Sequence, residues 1–138
     1  MTIQNPCQYR EAGARRLRPW LAALVAALAE GASSFVLRFV SDREMRQLNR
    51  LYRSLDRTTD VLSFPGEAGP EGRHLGDVVV SVPAARRQAL AQGHGIEEEL
   101  KVLILHGLLH CLGHDHETDE GTMERLERRL RREWIQDG

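Results

Sequence analysis

The sequence has little that would staple it, carry it through a membrane or hold a polyanion by bulk charge. Two cysteines stand in 138 residues, Cys7 and Cys111. They are too few for a disulfide framework and suit a reducing compartment. No apolar stretch reaches the ~20 residues of a membrane-spanning helix; the longest cover residues 20–29 and 102–112. The N-terminal segment lacks a basic start followed by an apolar run, so a secretory signal is not expected and a cytoplasmic location is. Nineteen basic against twenty acidic residues leave a net charge of −1, which disfavours a nucleic-acid binder relying on overall positive charge. Lysine is nearly missing: Lys101 stands alone among the arginines. Arginine suits bidentate phosphate recognition, although a GC-rich genome produces the same bias.

What is present is the balance of a globular protein, 41% apolar and 28% charged residues. A chain of this length makes one domain, residues 1–138, and buries roughly two-thirds of its unfolded surface. No internal repeat or linker divides it. A short strand is expected at residues 2–4 and a helix over 14–30, with Leu17, Trp20, Leu21, Leu24, Val25 and Leu28 on one side and Gly31 at its C-terminus. Trp20 reads as core. Residues 34–40 (SFVLRFV) predict a strand. Ser41 and Glu44 have capping-box spacing, so a helix should run from Asp42 to about Arg53. A strand follows over 59–64 (TDVLSF), stopped by Pro65, then a glycine-rich loop over 66–74. The β-branched run 77–82 (DVVVSV) predicts a strand covered on both faces. Helices are expected over 83–92, 96–112 and 119–135. Strands interleaved with helices give an α/β (α+β-type) domain.

Four of the six histidines fall in one stretch, HGLLHCLGHDH: His106, His110, His114 and His116. Four residues turn a helix by about 400°, so His106 and His110 emerge on one side, about 6 Å apart along the axis. That spacing lets two imidazoles hold one metal ion. Leu100, Leu103, Ile104, Leu108, Cys111 and Leu112 make an apolar stripe, and the two histidines lie nearly opposite it. Gly113 can leave helical geometry, after which His114 or His116 can swing back; the turn leaves more room for His116. Three imidazoles with an open position are the pattern of a catalytic zinc site, although nickel or iron suits the same donors. Cys111 projects with the stripe and reads as a small core residue.

In metzincin proteases a glutamate follows the first histidine of such a motif and serves as base. Gly107 stands there, which weakens a protease reading. A proton shuttle must come from elsewhere, with Asp115 and Glu117 as candidates; Asp115 could equally orient a ligand imidazole.

HGLLHCLGHDH resembles the signature of the YbeY family of zinc-dependent bacterial endoribonucleases of ribosomal RNA maturation. LNRLYRSLDRTTDVLSFPGE (48–67) and GDVVVSVPAA (76–85) are similar to that family's other two motifs, in the same order. The resemblance implies a mixed sheet of about four strands flanked by helices. It implies one Zn²⁺ per chain held by His106, His110 and His116, with Arg53 beside the metal in RNA processing. An arginine there can hold a phosphate or offset charge developing on it; the plainer reading is a solvated arginine at a helix end. The implied activity is single-strand cleavage in 16S ribosomal RNA 3′-end maturation and ribosome quality control. The implied partners are ribosomal RNA, the small ribosomal subunit, a small-subunit ribosomal protein and the GTPase Era. His114, Thr58 and Cys111 depart from the family's usual tyrosine, proline and leucine. An assembly-binding factor with a mainly structural zinc, and a hydrolase of another substrate, are the alternative readings.

Weaker candidates complete the list. Asp60, Ser63 and Asp77 read as site residues or strand-end caps. Arg125, Arg128, Arg129, Arg131 and Arg132 decorate the last helix, where interspersed Glu124, Glu127 and Glu133 favour a solvated face over an RNA-facing patch.

Overall fold

A computed structural model describes residues 1–13, 16–70, 72–114 and 121–136. Its elements are β1 (Thr2–Gln4), α1 (Leu17–Leu28), β2 (Ala32–Val40), α2 (Asp42–Arg53), β3 (Val61–Pro65), β4 (Ala68–Gly69), β5 (Gly72–Ser81), α3 (Val82–Gln92), α4 (Ile96–Cys111) and α5 (Thr122–Arg131), with a 3₁₀ turn at Glu11–Gly13 and a π turn at Arg132–Gln136.

The sheet is mixed and runs β1-β2-β5-β3, with β4 pairing β5 off that path. β1 and β5 both lie parallel to β2, while β3 and β4 run antiparallel to β5. Period-two alternation divides the apolar residues between two faces. Phe35, Leu37 and Phe39 of β2 and Val78 and Val80 of β5 join the large core with α1, α4 and α5. Val40, Val79 and Leu62 face the other way and form a small core with Met45 of α2. The expectation that the DVVVSV strand is covered on both faces is therefore met.

Several boundaries differ from the sequence reading, three of them with a clear physical reason. The strand expected over 77–82 begins five residues earlier, and part of the expected loop 66–74 is a hairpin in which Ala68 pairs Arg73 and Gly69 pairs Gly72. Glycine and proline mark the turn, but the pairing is stabilised by distant β2 residues, since Ala32 opposes Arg73 and Ser34 opposes His74. Pro65 closes β3 as its last residue rather than standing outside it; β3 ends the sheet, where a missing N–H costs no ladder bond. The last helix becomes α5 and a π turn, and the residues before 121 in that stretch lie outside the described ones. Trp20 is half-buried against the large core, its Nε1 donating to the Trp134 carbonyl at 2.9 Å.

Candidate active site

α2 places the arginine. Ser41 Oγ accepts the Glu44 N–H at 3.2 Å, as the cap spacing predicts, but the Glu44 carboxylate takes Arg38 Nε at 2.9 Å. The helix ends at Arg53 because Ser54 turns left-handed, φ 58°. Buried Asn49 fastens the following loop, donating to the Arg57 carbonyl at 2.9 Å. Arg53 is exposed and has no hydrogen-bond or ion-pair partner among the described residues. It lines a cleft of about 790 Å³ shared with β3, His106, His110 and His114.

α4 places the histidines. Three glutamates in its first turn complement the helix dipole. Gly107 lies against the sheet: a Cβ there would meet Val78 Cγ1 at 2.7 Å and Val61 Cγ2 at 3.4 Å. The position therefore has no room for the metzincin glutamate, and its glycine lets α4 approach β3 and β5. The picture of histidines opposite a single apolar stripe needs correction, because Leu105, Gly107 and Leu109 are buried along with the expected stripe. With α5 and the sheet both covering α4, His106 and His110 sit half-buried at the cleft wall rather than on an open face.

His106 and His110 converge as the i,i+4 spacing predicts. Their Nε2 atoms lie 3.2 Å apart and their rings are 4.7 Å apart at 73°. Two donors on one tetrahedral zinc, at about 2.0–2.1 Å each, would be about 3.3 Å apart, so the pair fits two corners of such a site. Glu127 from α5 holds the far side of His106, its two carboxylate oxygens 3.1 and 3.2 Å from Nδ1. A proton on Nδ1 shared with that carboxylate leaves Nε2 as the lone-pair donor. The Glu127 hydrogen bond, against the cost of burial, raises the His106 pKa above the ordinary imidazole value.

Gly113, at φ 96°, ends α4, and the His114 N–H bonds back to the Leu109 carbonyl at 3.1 Å. His114 thereby lines the cleft. Asp115, His116 and Glu117 lie outside the described residues. Among the described residues no group of three or more His, Cys, Asp or Glu is arranged to hold a metal. Cys111 is a core residue: its buried thiol donates to the Phe64 carbonyl at 4.0 Å, and burial pushes its pKa up to about 11.

Asp60 caps the start of β3 and also lines the cleft. Its carboxylate accepts the Val61 N–H at 2.8 Å and Gln88 Nε2 at 3.0 Å. Asp77 pairs with His74 Nε2 at 2.6 Å, away from the histidine pair, whereas Ser63 lines the cleft. Arg128 pairs with Glu124 on α5 and Arg129 with Glu133 of the π turn, in keeping with a solvated face. Glu127 departs from that face, and sequence reasoning missed it. The available signal was its place on the Met123, Leu126, Leu130 side of α5, toward the core.

The family profile described as Endoribonuclease YbeY matches residues 3–134. Among curated relatives of that same name, the Solibacter usitatus protein is 51% identical over 104 residues, 75% of this chain and 67% of the relative. The Nautilia profundicola protein is 47% identical over 94 residues, 68% of this chain and 67% of the relative. The Myxococcus xanthus protein is 45% identical over 123 residues, and the aligned stretch spans only 42% of its length. The solution structure of a Thermotoga maritima protein superposes with a TM-score of 0.64, covering 96% of this chain and 87% of that one at 24% identity. That likeness supports the mixed-sheet fold.

Proposed function

This chain belongs to the Endoribonuclease YbeY family, and from that premise we propose that it is a zinc-dependent endoribonuclease cutting single-stranded RNA. The observation that carries the metal part is the convergence of His106 and His110 Nε2 at 3.2 Å with Glu127 fixed behind His106. His116 is the proposed third donor. When bound, the metal would supply Lewis-acid polarisation of a phosphoryl oxygen and a water acidified toward neutral pH.

The chain's own residues do the rest. Glu127 keeps a proton on His106 Nδ1, so that ring offers its Nε2 donor without a tautomer change. Arg53, unpaired among the described residues, binds the phosphoryl oxygens through its planar donors and offsets charge that builds on them. β3 and α4 wall the cleft and limit how a strand can enter it. Asp115 is the proposed proton carrier. The wider role we propose is 16S ribosomal RNA 3′-end maturation and ribosome quality control in the cytoplasm. The proposed partners are ribosomal RNA, the small subunit, one of its proteins and the GTPase Era.

The test is cleavage of precursor 16S RNA by zinc-loaded protein, with Arg53→Ala and His110→Ala purified in parallel. His110→Ala should lose both metal and cleavage, and Arg53→Ala should keep the metal but cut about 10²–10³-fold more slowly. Equal cleavage by all three would assign the activity to a contaminant. Zinc binding without cleavage, with unfolding on zinc removal, would favour an assembly factor with a structural metal.

A further inference from the structure

We infer that the rim of the cleft holds a nucleobase subsite, in which Tyr52 stacks a base of single-stranded RNA and the open edge of β3 at Ser63 hydrogen-bonds to it. The inference rests on the RNA reading above and names the part of the substrate that this rim would recognise.

Tyr52 is 62% exposed, one of few large side chains with apolar surface left open. It is nonetheless held, packing edge-on against Phe64 with ring centroids 5.2 Å apart at 66°. Phe64 in turn packs on the small core. The exposed ring lines the cleft beside Arg53. Every base offers a π-face to such a ring, while a neighbouring guanidinium can take the phosphate.

The strand edge supplies the directional contact. In the β3·β5 ladder the Ser81 N–H bonds to the Asp60 carbonyl at 2.9 Å and the Gly66 N–H to the Leu75 carbonyl at 3.0 Å. Antiparallel pairing alternates, so Leu62 and Phe64 exchange bonds with β5, and the backbone of Val61, Ser63 and Pro65 turns to the unpaired side. The Val61 N–H is taken by Asp60 Oδ1 at 2.8 Å, and Pro65 has no N–H. Ser63 is therefore the β3 residue that offers both an N–H and a carbonyl outward, among the described residues. An adjacent donor and acceptor match the polar edge of an unpaired base, the usual target of single-strand readout. The same edge alone would suit an extended peptide. The exposed ring and unpaired arginine at one rim favour a base and its phosphate instead.

The experiment measures fluorescence anisotropy of a short 2′-O-methyl oligoribonucleotide, which resists cleavage, on zinc-loaded wild type, Tyr52→Ala and Tyr52→Phe. The oligonucleotide is also made with an abasic residue at each position in turn, and with base edges blocked by methylation. Wild type should bind, Tyr52→Ala about tenfold more weakly, and Tyr52→Phe within about twofold of wild type. One abasic position should weaken wild type by a similar factor and leave Tyr52→Ala unchanged, as shared contacts require. Edge methylation at that position should weaken wild type and leave Tyr52→Ala, which no longer holds that base, unchanged. Equal binding by wild type and Tyr52→Ala, or abasic losses independent of position, would overturn the subsite while leaving the RNA reading intact. No binding by wild type, with capture of an unstructured peptide in its place, would overturn both.

Discussion

Gly107 shows how one missing side chain decides both packing and chemistry. Sequence spacing makes it the position of an absent base; the structure shows that no Cβ fits between α4 and Val78. Gly107→Ala should destabilise the fold by about 1–3 kcal/mol through overpacking, measured by denaturant titration. A variant as stable as wild type would show that the sheet yields there. Cys111 makes a second residue-scale prediction. Its thiol is buried with a pKa of about 11, whereas Cys7 is exposed. In the native protein Ellman's reagent should modify one thiol rapidly at pH 8 and the second only on unfolding. The reading of Cys111 as a core residue was legible because its helical position follows the apolar stripe. Asp60 was ambiguous because a capping carboxylate and a catalytic one look alike until their partners are known.

At the level of elements, the histidine-bearing helix α4 and the last helix α5 form one unit. Glu127 of α5 grips His106 of α4 across 21 residues of sequence. Glu127→Gln should weaken zinc affinity about 10–100-fold, read by competition with a chromogenic chelator, with Glu127→Asp recovering part of the loss. Unchanged affinity in Glu127→Gln would remove the carboxylate from the metal's support. Helix periodicity exposed the His106–His110 pair, since both lie on one element. It gave no access to Glu127, because the docking angle of two helices is set by tertiary packing rather than by local spacing. The β4–β5 hairpin escaped for the same reason: its glycines read as loop, and the partner strand that orders it lies some forty residues earlier.

Asp42 joins α2 to the segment that starts α3, and it carries the pH prediction. Its carboxylate accepts from Arg87 at 2.8 and 3.1 Å and from Ser81 at 3.0 Å. The Arg87 hydrogen bond holds its pKa below the ordinary value, with smaller help from Ser81 and Thr58. A depressed carboxylate contributes stability above its unfolded pKa, near 3.9, and loses it as pH falls through the folded value. Asp42→Asn should therefore lose less stability than wild type between about pH 4 and the folded pKa, as thermal melts along that range would show. An identical acid limb in the two proteins would contradict the linkage.

Over the whole molecule, a charge of −1 means that the proposed RNA recognition would rest on one cleft rather than on a general electrostatic surface. The order and periodicity of the segments made the α/β layering legible, and the sheet order came from pairings between distant strands. The proposed function turns on the histidine pair in this cleft cutting RNA through a bound metal. The most direct measurement is end-mapped cleavage of precursor 16S RNA by zinc-loaded wild type and by identically purified His110→Ala, with zinc content determined on both samples. If that is right, wild type gives discrete cuts and holds about one zinc per chain, and the variant does neither. Cuts of equal rate and position from a metal-free His110→Ala would contradict it.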